Sequence, residues 1–304
     1  MRNIIKGPEV TWIDIQGPTN EDIKFLEKSY KLHPLILEEL TQPSPRPSVE
    51  HNPNYLFMVF YYPVYDKNTR ETISRELDII VTKNTVITTH YQTILPVKRL
   101  FTSCNFNHNL KKNYLGKSSG HLLFYILDNL WGHCLTKLER IEKSIDQIER
   151  EIFKEKEREM VREISYVKTD LIGFWRIIEP QKEILESLSK EGVAFFGKEL
   201  QPYFSDLLGT FRKVWNNLTT NKEVILSLED TNQSLLSTKI NDIIRVLTIF
   251  SVIILPLTLL SSIWGMNFSD IPLAEVKAGF WMLLFIMVFM VGFMIFYFKR
   301  KKWI

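Results

Sequence analysis

Residues 243–264 read IIRVLTIFSVIILPLTLLSSIW, and residues 279–298 read GFWMLLFIMVFMVGFMIFYF. A helix needs about 20 residues to cross the hydrocarbon of a bilayer, and each stretch is long enough. Both lie at the end of a 304-residue chain whose earlier sequence is largely polar and amphipathic. The expectation is a two-span membrane protein with most of its mass in water. Lys299-Arg300-Lys301-Lys302 follows the second stretch, whereas the connection between the two carries only Asp270, Glu275 and Lys277. Positive charge is retained on the cytoplasmic side, which puts both termini inside and the connection outside. The basic tail reads first as a topological anchor and second as a contact for membrane lipid.

Composition narrows the rest. With 24% charged, 45% hydrophobic and 12% aromatic residues the chain is neither disordered nor collagenous, and its length leaves room for about two domains. Thirty-eight basic residues against 35 acidic ones argue against nucleic acid as a partner. The residues after Met1-Arg2-Asn3 contain no apolar signal-peptide core, so the N-terminal portion is expected to stay in the cytoplasm. Cys104 and Cys134 form no CxxC pair, and the six histidines are scattered, so neither a disulfide framework nor a zinc knuckle is indicated.

Upstream of the spans the texture changes twice. From Glu9 to about Asn113, runs rich in β-branched and aromatic residues predict strands at Thr11–Ile15, Tyr55–Tyr65, Leu77–Val81 and Val86–His90. Turn signals sit at Asp66-Lys67-Asn68 and Lys83-Asn84, and helix starts at Pro18-Thr19-Asn20 and after His33-Pro34. From about His121 the period becomes helical. Leu138, Ile141, Ile145, Ile148 and Ile152, then Ile164, Val167, Leu171, Phe174 and Ile178, recur at steps of three and four on either side of a break near 153–158. The charged stretch 139–163 is the solvated face of these arms. A third helix starts at Pro202 and keeps its spacing through Leu207, Phe211, Val214, Leu218, Ile225, Leu228 and Leu235. Unbroken to Trp264, it would span roughly 90 Å. The expected division is an α/β domain over 1–115, long helices over 116–242, a first span over 243–264, a connection over 265–278, a second span over 279–298 and a tail over 299–304.

The two spans differ in polarity. The second is almost wholly apolar, while the first holds Thr248, Ser251, Thr258, Ser261 and Ser262. Asn241, Ile244, Thr248, Ser251, Leu255, Thr258 and Ser262 advance by three and four along one face. Each hydroxyl alone fits a bond to its own helix backbone. A full stripe ending at Gly265-Met266-Asn267 points instead to a face turned away from lipid. Identical chains in a ring, with this helix at the axis and the second helix outside, satisfy that requirement.

Trp264-Gly265-Met266-Asn267-Phe268, placed one helix before the C-terminus and followed by a tail ending Lys301-Lys302-Trp303-Ile304, resembles the CorA family of magnesium transporters. Thr11-Trp12-Ile13-Asp14-Ile15, His33-Pro34-Leu35, Val246-Leu247-Thr248-Ile249 and Pro256-Leu257-Thr258 resemble further family landmarks in the family's order. The resemblance implies an α+β membrane protein assembled as a funnel-shaped homopentamer, with the first span lining the pore. It implies that Asn267 forms the outer ring receiving the ion, with Gly265 and Met266 shaping the turn. Thr258, Leu255, Leu247, Ile244 and Asn241 line the descent, and Ile244 with Leu247 form a hydrophobic constriction; Ser251 belongs to the same face. Mg2+ is then both cargo and regulator, held between neighbouring subunits by Glu39 and Asp206, with Glu38 and Asp128 as candidates for an adjacent site. Oxygen rings that grip a hydrated ion suit magnesium, which sheds water reluctantly.

No phosphate-loop motif is present, so no nucleotide drive is expected. Inward movement of a divalent cation gains about 4.6 kcal/mol per 100 mV of membrane potential, twice the single-charge value. Two departures from the family stand out. Trp264 replaces the usual tyrosine, and the loop reads Ser269-Asp270-Ile271-Pro272-Leu273-Ala274-Glu275, without the usual Met-Pro-Glu-Leu. Asp270 or Glu275 would then draw cations to the mouth. Cobalt and nickel are further candidate cargoes. The rival readings are a zinc transporter of the related branch and a membrane-anchored coiled-coil scaffold; no hydrolase motif suggests an enzyme.

Overall fold

The computed structural model describes residues 2–154, 156–266 and 278–303. The chain divides into two units, Met1–Asp230 and Thr231–Ile304.

The first unit is built on a six-stranded sheet in the order β1-β2-β6-β5-β4-β3. Its strands are β1 (Arg2–Lys6), β2 (Thr11–Gln16), β3 (Ser48–Asn52), β4 (Tyr55–Asp66), β5 (Glu71–Thr82) and β6 (Thr85–His90). The β2–β6 pair is parallel, with Ile13 opposite Ile87, and every other pair is antiparallel. Side chains lock the parallel pair: the Trp12 indole N–H donates to Thr88 Oγ1 at 3.1 Å, and the Thr88 hydroxyl donates to Asp14 at 2.6 Å, all three residues buried. The four expected strands are present. The edge strands β1 and β3 were not legible, because RNIIK and SVEHN are polar, half-exposed and strand-like only through their neighbours.

The central strands are buried on both faces, as continuous apolar runs such as Tyr55–Phe60 require. On one face α1 (Asn20–Tyr30) and α2 (Pro34–Glu39) set Leu26, Ile36 and Leu37 against Ile13, Ile15, Phe57, Val59, Ile80 and Ile87. Thr19 closes a reciprocal capping box with Asp22, and His33 Nδ1 accepts from the Leu35 N–H, so both helix starts lie where the sequence signals put them. α3 (Leu95–Phe106) lies against the other face, with Phe101 edge-on to Trp12 at 5.0 Å. α4 (His108–Leu115) follows, capped by Asn107.

Two long helices, α5 (Ser119–Glu151) and α6 (Glu157–Ile178), turn back on each other across the break expected near 153–158. α6 packs on β4 and β5 so closely that a Cβ at Gly173 would stand 2.8 Å from the Thr72 carbonyl oxygen. α7 (Gln181–Phe196) covers β3, and a short 3-10 turn over Lys198–Leu200 leads into α8 (Gln201–Trp264). Within the first unit α8 buries Phe204, Leu207, Phe211, Val214, Leu218, Ile225 and Leu228, the predicted stripe, against the other helices. Trp131 meets Phe211 edge-on at 5.2 Å, and Lys168 pairs with Glu229 at 2.6 Å.

The second unit holds the remainder of α8 and α9 (Gly279–Arg300). Both contain an apolar window with mean hydropathy 2.5, of which only 6% is buried. Large apolar surfaces left bare in this way are fitted to hydrocarbon or to further protein. α9 ends on Lys302 in the left-handed region, with the Trp303 N–H reaching the Phe298 carbonyl at 3.0 Å and the two rings stacked.

Ile80 is fully buried in the middle strand of the antiparallel set. Ile80→Ala is expected to remove about 2–5 kcal/mol of stability. Thermal unfolding of the purified chain should show a fall in Tm of several degrees; an unchanged Tm would contradict the assigned core.

Candidate ion pathway and acidic groups

Of the polar stripe on α8, Asn241, Ile244, Ser251, Leu255, Thr258 and Ser262 are exposed and Thr248 is half-buried; Leu247, a candidate from the family likeness, is exposed at 65%. Ile243, Val246, Phe250, Ile254 and Leu259 are exposed as well, so the stripe is one part of a broad bare surface. A different part of the helix surface carries the covered residues, Ile249 buried and Ile253, Leu257, Leu260 and Trp264 half-buried. Met287 of α9 shares a shallow recess with Leu257, Thr258, Ser261 and Ser262, which places α9 beside that part of the helix. α9 thus covers only one side of α8, and Thr258 and Ser262 of the stripe border it.

The hydroxyls on this helix are satisfied locally. Thr248 donates to the Ile244 carbonyl at 2.7 Å, Ser251 to Leu247 at 2.9 Å and Thr258 to Ile254 at 2.9 Å. Their donors therefore need neither water nor a partner chain, and the hydroxyls by themselves do not require a wet axis. Their oxygens keep acceptor capacity, which is the side a cation uses. Pro256 lies inside α8 and has no N–H to give to the carbonyl of Val252, four residues earlier. Arg245 interrupts the apolar stretch, a feature the sequence reading passed over. It pairs with Asp242 one turn earlier at 3.1 Å, at the polar end of the span where a long cationic side chain is tolerated.

At the opposite end of the span, the Gly265 N–H is shared between the Ser261 and Ser262 carbonyls, at 3.0 and 3.2 Å, and Met266 bonds back to Ile263 at 3.3 Å. α8 closes in a tightened turn at the two residues expected to shape it. Asn267, Asp270 and Glu275 lie outside the described residues.

The four acidic residues assigned to regulation fall into separate groups. Asp128 on α5 lies beside Asp206 on α8, and the Thr210 hydroxyl bonds to Asp128. Burial, then the Asp206 charge, raises the Asp128 carboxyl above the usual range. Glu39, half-buried at the end of α2, is raised by burial and then by Glu50 of β3. Glu38 beside it is exposed. The sequence reading missed the acidic pair behind Glu39: Glu76 accepts from the Ser44 N–H at 2.9 Å, and buried Asp78 accepts from the Thr89 hydroxyl at 2.9 Å. Burial pushes Asp78 well up, and the neighbouring Glu76 charge adds to it. No sequence motif could show this pair, since only alternation along β5 puts residues 76 and 78 on one face. Among the described residues no three His, Cys, Asp or Glu side chains converge to hold a metal within one chain.

Comparisons with known proteins cover nearly the whole chain. The family described as CorA-like Mg2+ transporter protein matches residues 8–300. The chain belongs to that family, and so to the CorA-type transporters of divalent metal ions. It is 31% identical over 295 residues to the cobalt/magnesium transport protein CorA of Thermotoga maritima, covering 97% of this chain and 83% of that protein. Its fold matches the complete structure of the CorA magnesium transporter from Methanocaldococcus jannaschii with a TM-score of 0.83, at 24% identity, over 97% of this chain and 92% of the other. A zinc transport protein, ZntB of Pectobacterium atrosepticum, is more distant: 19% identical, over 100% of this chain and 90% of that protein.

A carboxyl whose folded pKa is raised costs stability once ionised, so its penalty is absent at low pH and present above the folded pKa. Asp128→Asn keeps an acceptor for Thr210 and removes the repulsion with Asp206. In the presence of a chelator, the variant should melt about 1–3 °C higher than the parent at pH 7.5 and show no gain near pH 4. A loss of Tm at pH 7.5 would contradict the repulsion.

Proposed function

We propose that the chain is a channel-like transporter that lets Mg2+ enter the cell down its electrochemical gradient. The observation that carries this reading is the surface of α8 left bare by α9, along which the oxygen-bearing Asn241, Ser251, Thr258 and Ser262 run together with the aliphatic Ile244, Leu247 and Leu255. A homopentamer with that face at its axis would give the face a wet interior and leave α9 to the lipid. In such a ring, Asn267 receives the hydrated ion, and the Thr258 and Ser251 oxygens pass it on with its water shell retained. Rings of Leu247 and Ile244 close the path by excluding water when they approach. The membrane potential supplies the driving force. Both termini lie in the cytoplasm in this reading, with the basic tail against the inner leaflet.

Regulation follows from the acidic groups. Glu39 and Asp206 belong to different clusters of one chain, so a site that uses both is assembled between neighbouring subunits. Mg2+ bound there would offset the repulsion among Glu38, Glu39, Asp128 and Asp206 and hold the closed ring together. When the ion leaves, the carboxylates repel and the ring loosens. Asp206 and the constriction residues share one unbroken helix, Gln201–Trp264, so a displacement at one has a covalent, hydrogen-bonded route to the other.

The test is ion flux in vesicles reconstituted with the purified protein. Asn267→Ala should abolish magnesium-indicator uptake, at least a tenfold loss of rate; undiminished uptake would overturn the pore mouth. Parallel runs with cobalt, nickel and zinc decide the cargo, and a faster zinc flux would replace magnesium with zinc. In patches, Asp206→Ala should leave current flowing at millimolar internal Mg2+ that silences the parent, whereas an unaltered inhibition curve would dismiss the intersubunit regulatory site.

A further inference from the structure

A cavity of about 330 Å³ opens in the first unit between the β4–β5 hairpin and the helices α5 and α6. It is unrelated to the acidic groups or the α8 stripe. Its floor is apolar and closed, made by Phe174 and Ile141, 1% and 8% exposed. Its walls are cationic. Lys67 and Arg70 come from the hairpin, and Lys137 and Arg140 come from one face of α5, three residues apart. Tyr65 and Tyr166 stand at the mouth.

Four cations in one recess repel one another unless something neutralises them, and the chain does this incompletely. Arg70 pairs with Glu163 at 3.2 Å and lies over the Tyr166 ring at 3.9 Å. Lys137 gives one of its three N–H groups to the Pro63 carbonyl and sits over the Tyr62 ring at 4.3 Å, with no carboxylate in hydrogen-bond reach. Burial, assisted by the charges of Arg75 and Arg140, pulls its amine down to about 8. The single carboxylate in the wall, Asp170, accepts the Thr72 hydroxyl at 2.6 Å, and burial raises it above the usual range. Among the described residues Lys67 and Arg140 have no ion-pair partner. The wall thus holds four cations and one carboxylate, with donors spread around a hydrophobic base.

The geometry points to a binding site for a small phosphate monoester whose organic part is apolar or aromatic. The phosphate would sit among Lys67, Arg140 and Lys137, where a dianion meets several donors at once. The organic part would rest on Phe174 and Ile141. The volume falls at the lower end of small-ligand clefts, and apolar walls with a few convergent polar groups are their usual lining. The sequence offers no hint of such a site, because its cations lie on two elements some 70 residues apart and follow no phosphate-loop spacing.

Calorimetry on the full-length protein in detergent, with phenyl phosphate and inorganic phosphate as probes, tests the site. Phenyl phosphate is expected to bind with a Kd at least tenfold below that of inorganic phosphate, and to weaken severalfold as salt is raised from about 50 to 300 mM. The double variant Lys67→Gln, Arg140→Gln, both exposed side chains, should weaken it at least tenfold. As a measurement independent of the variant, phenyl phosphate should shield Lys67 and Lys137 of the parent protein from an amine-acylating reagent. Equal affinity for the two probes would overturn the apolar seat. Absence of binding at millimolar phenyl phosphate, or labelling of both lysines unchanged by it, would overturn the site.

Discussion

Hydrocarbon offers a polar atom nothing to bond with, and α8 carries polar atoms through an apolar stretch in spite of that. Each unsatisfied group would cost several kcal/mol there. The helix meets this constraint in two ways. The Thr248, Ser251 and Thr258 hydroxyls give their protons to carbonyls one turn back, and Arg245 is neutralised by Asp242. Those three hydroxyls keep their oxygen lone pairs, beside the aliphatic Ile244, Leu247 and Leu255.

The same helix meets a different constraint in its first half. From Phe204 to Leu228 its stripe is buried among aromatic and aliphatic partners, and there helix formation is supported by packing rather than by intrinsic preference. Between residues 237 and 247 every side chain is exposed, and the helix there has no buried apolar packing to support it. α8 is continuous over this stretch, so Asp206 and Leu247 lie on one helix.

Legibility followed the range of the interactions. The strands Tyr55–Tyr65 and Val86–His90, the helix stripes and the break between α5 and α6 are written in local periodicity, and the fold reproduces them. The capping signals at Thr19 and His33 are equally local. β1 and β3 are not, since an edge strand acquires its conformation from the strand beside it. The stripe from Asn241 to Ser262 was legible in spacing and the pore assignments came from family likeness, but the bonding state of the hydroxyls was in neither. The acidic residues show the limit most clearly. Glu39 and Asp206 came from family likeness, whereas their acidic neighbours, Glu50 near one and Asp128 beside the other, appear only when strands and helices are brought together.

The amino-acid sequence by itself determined the membrane spans, the polar stripe and the family, because hydropathy, helical period and the Gly-Met-Asn signature are properties of neighbours along the chain. Tertiary structure alone decided the parallel pairing of β2 with β6 and the pairing of acids 76 and 78 behind Glu39. It also decided the cationic recess beneath the β4–β5 hairpin. Those features join residues tens of positions apart, and their energies come from desolvation and charge proximity, which exist only once the chain has folded.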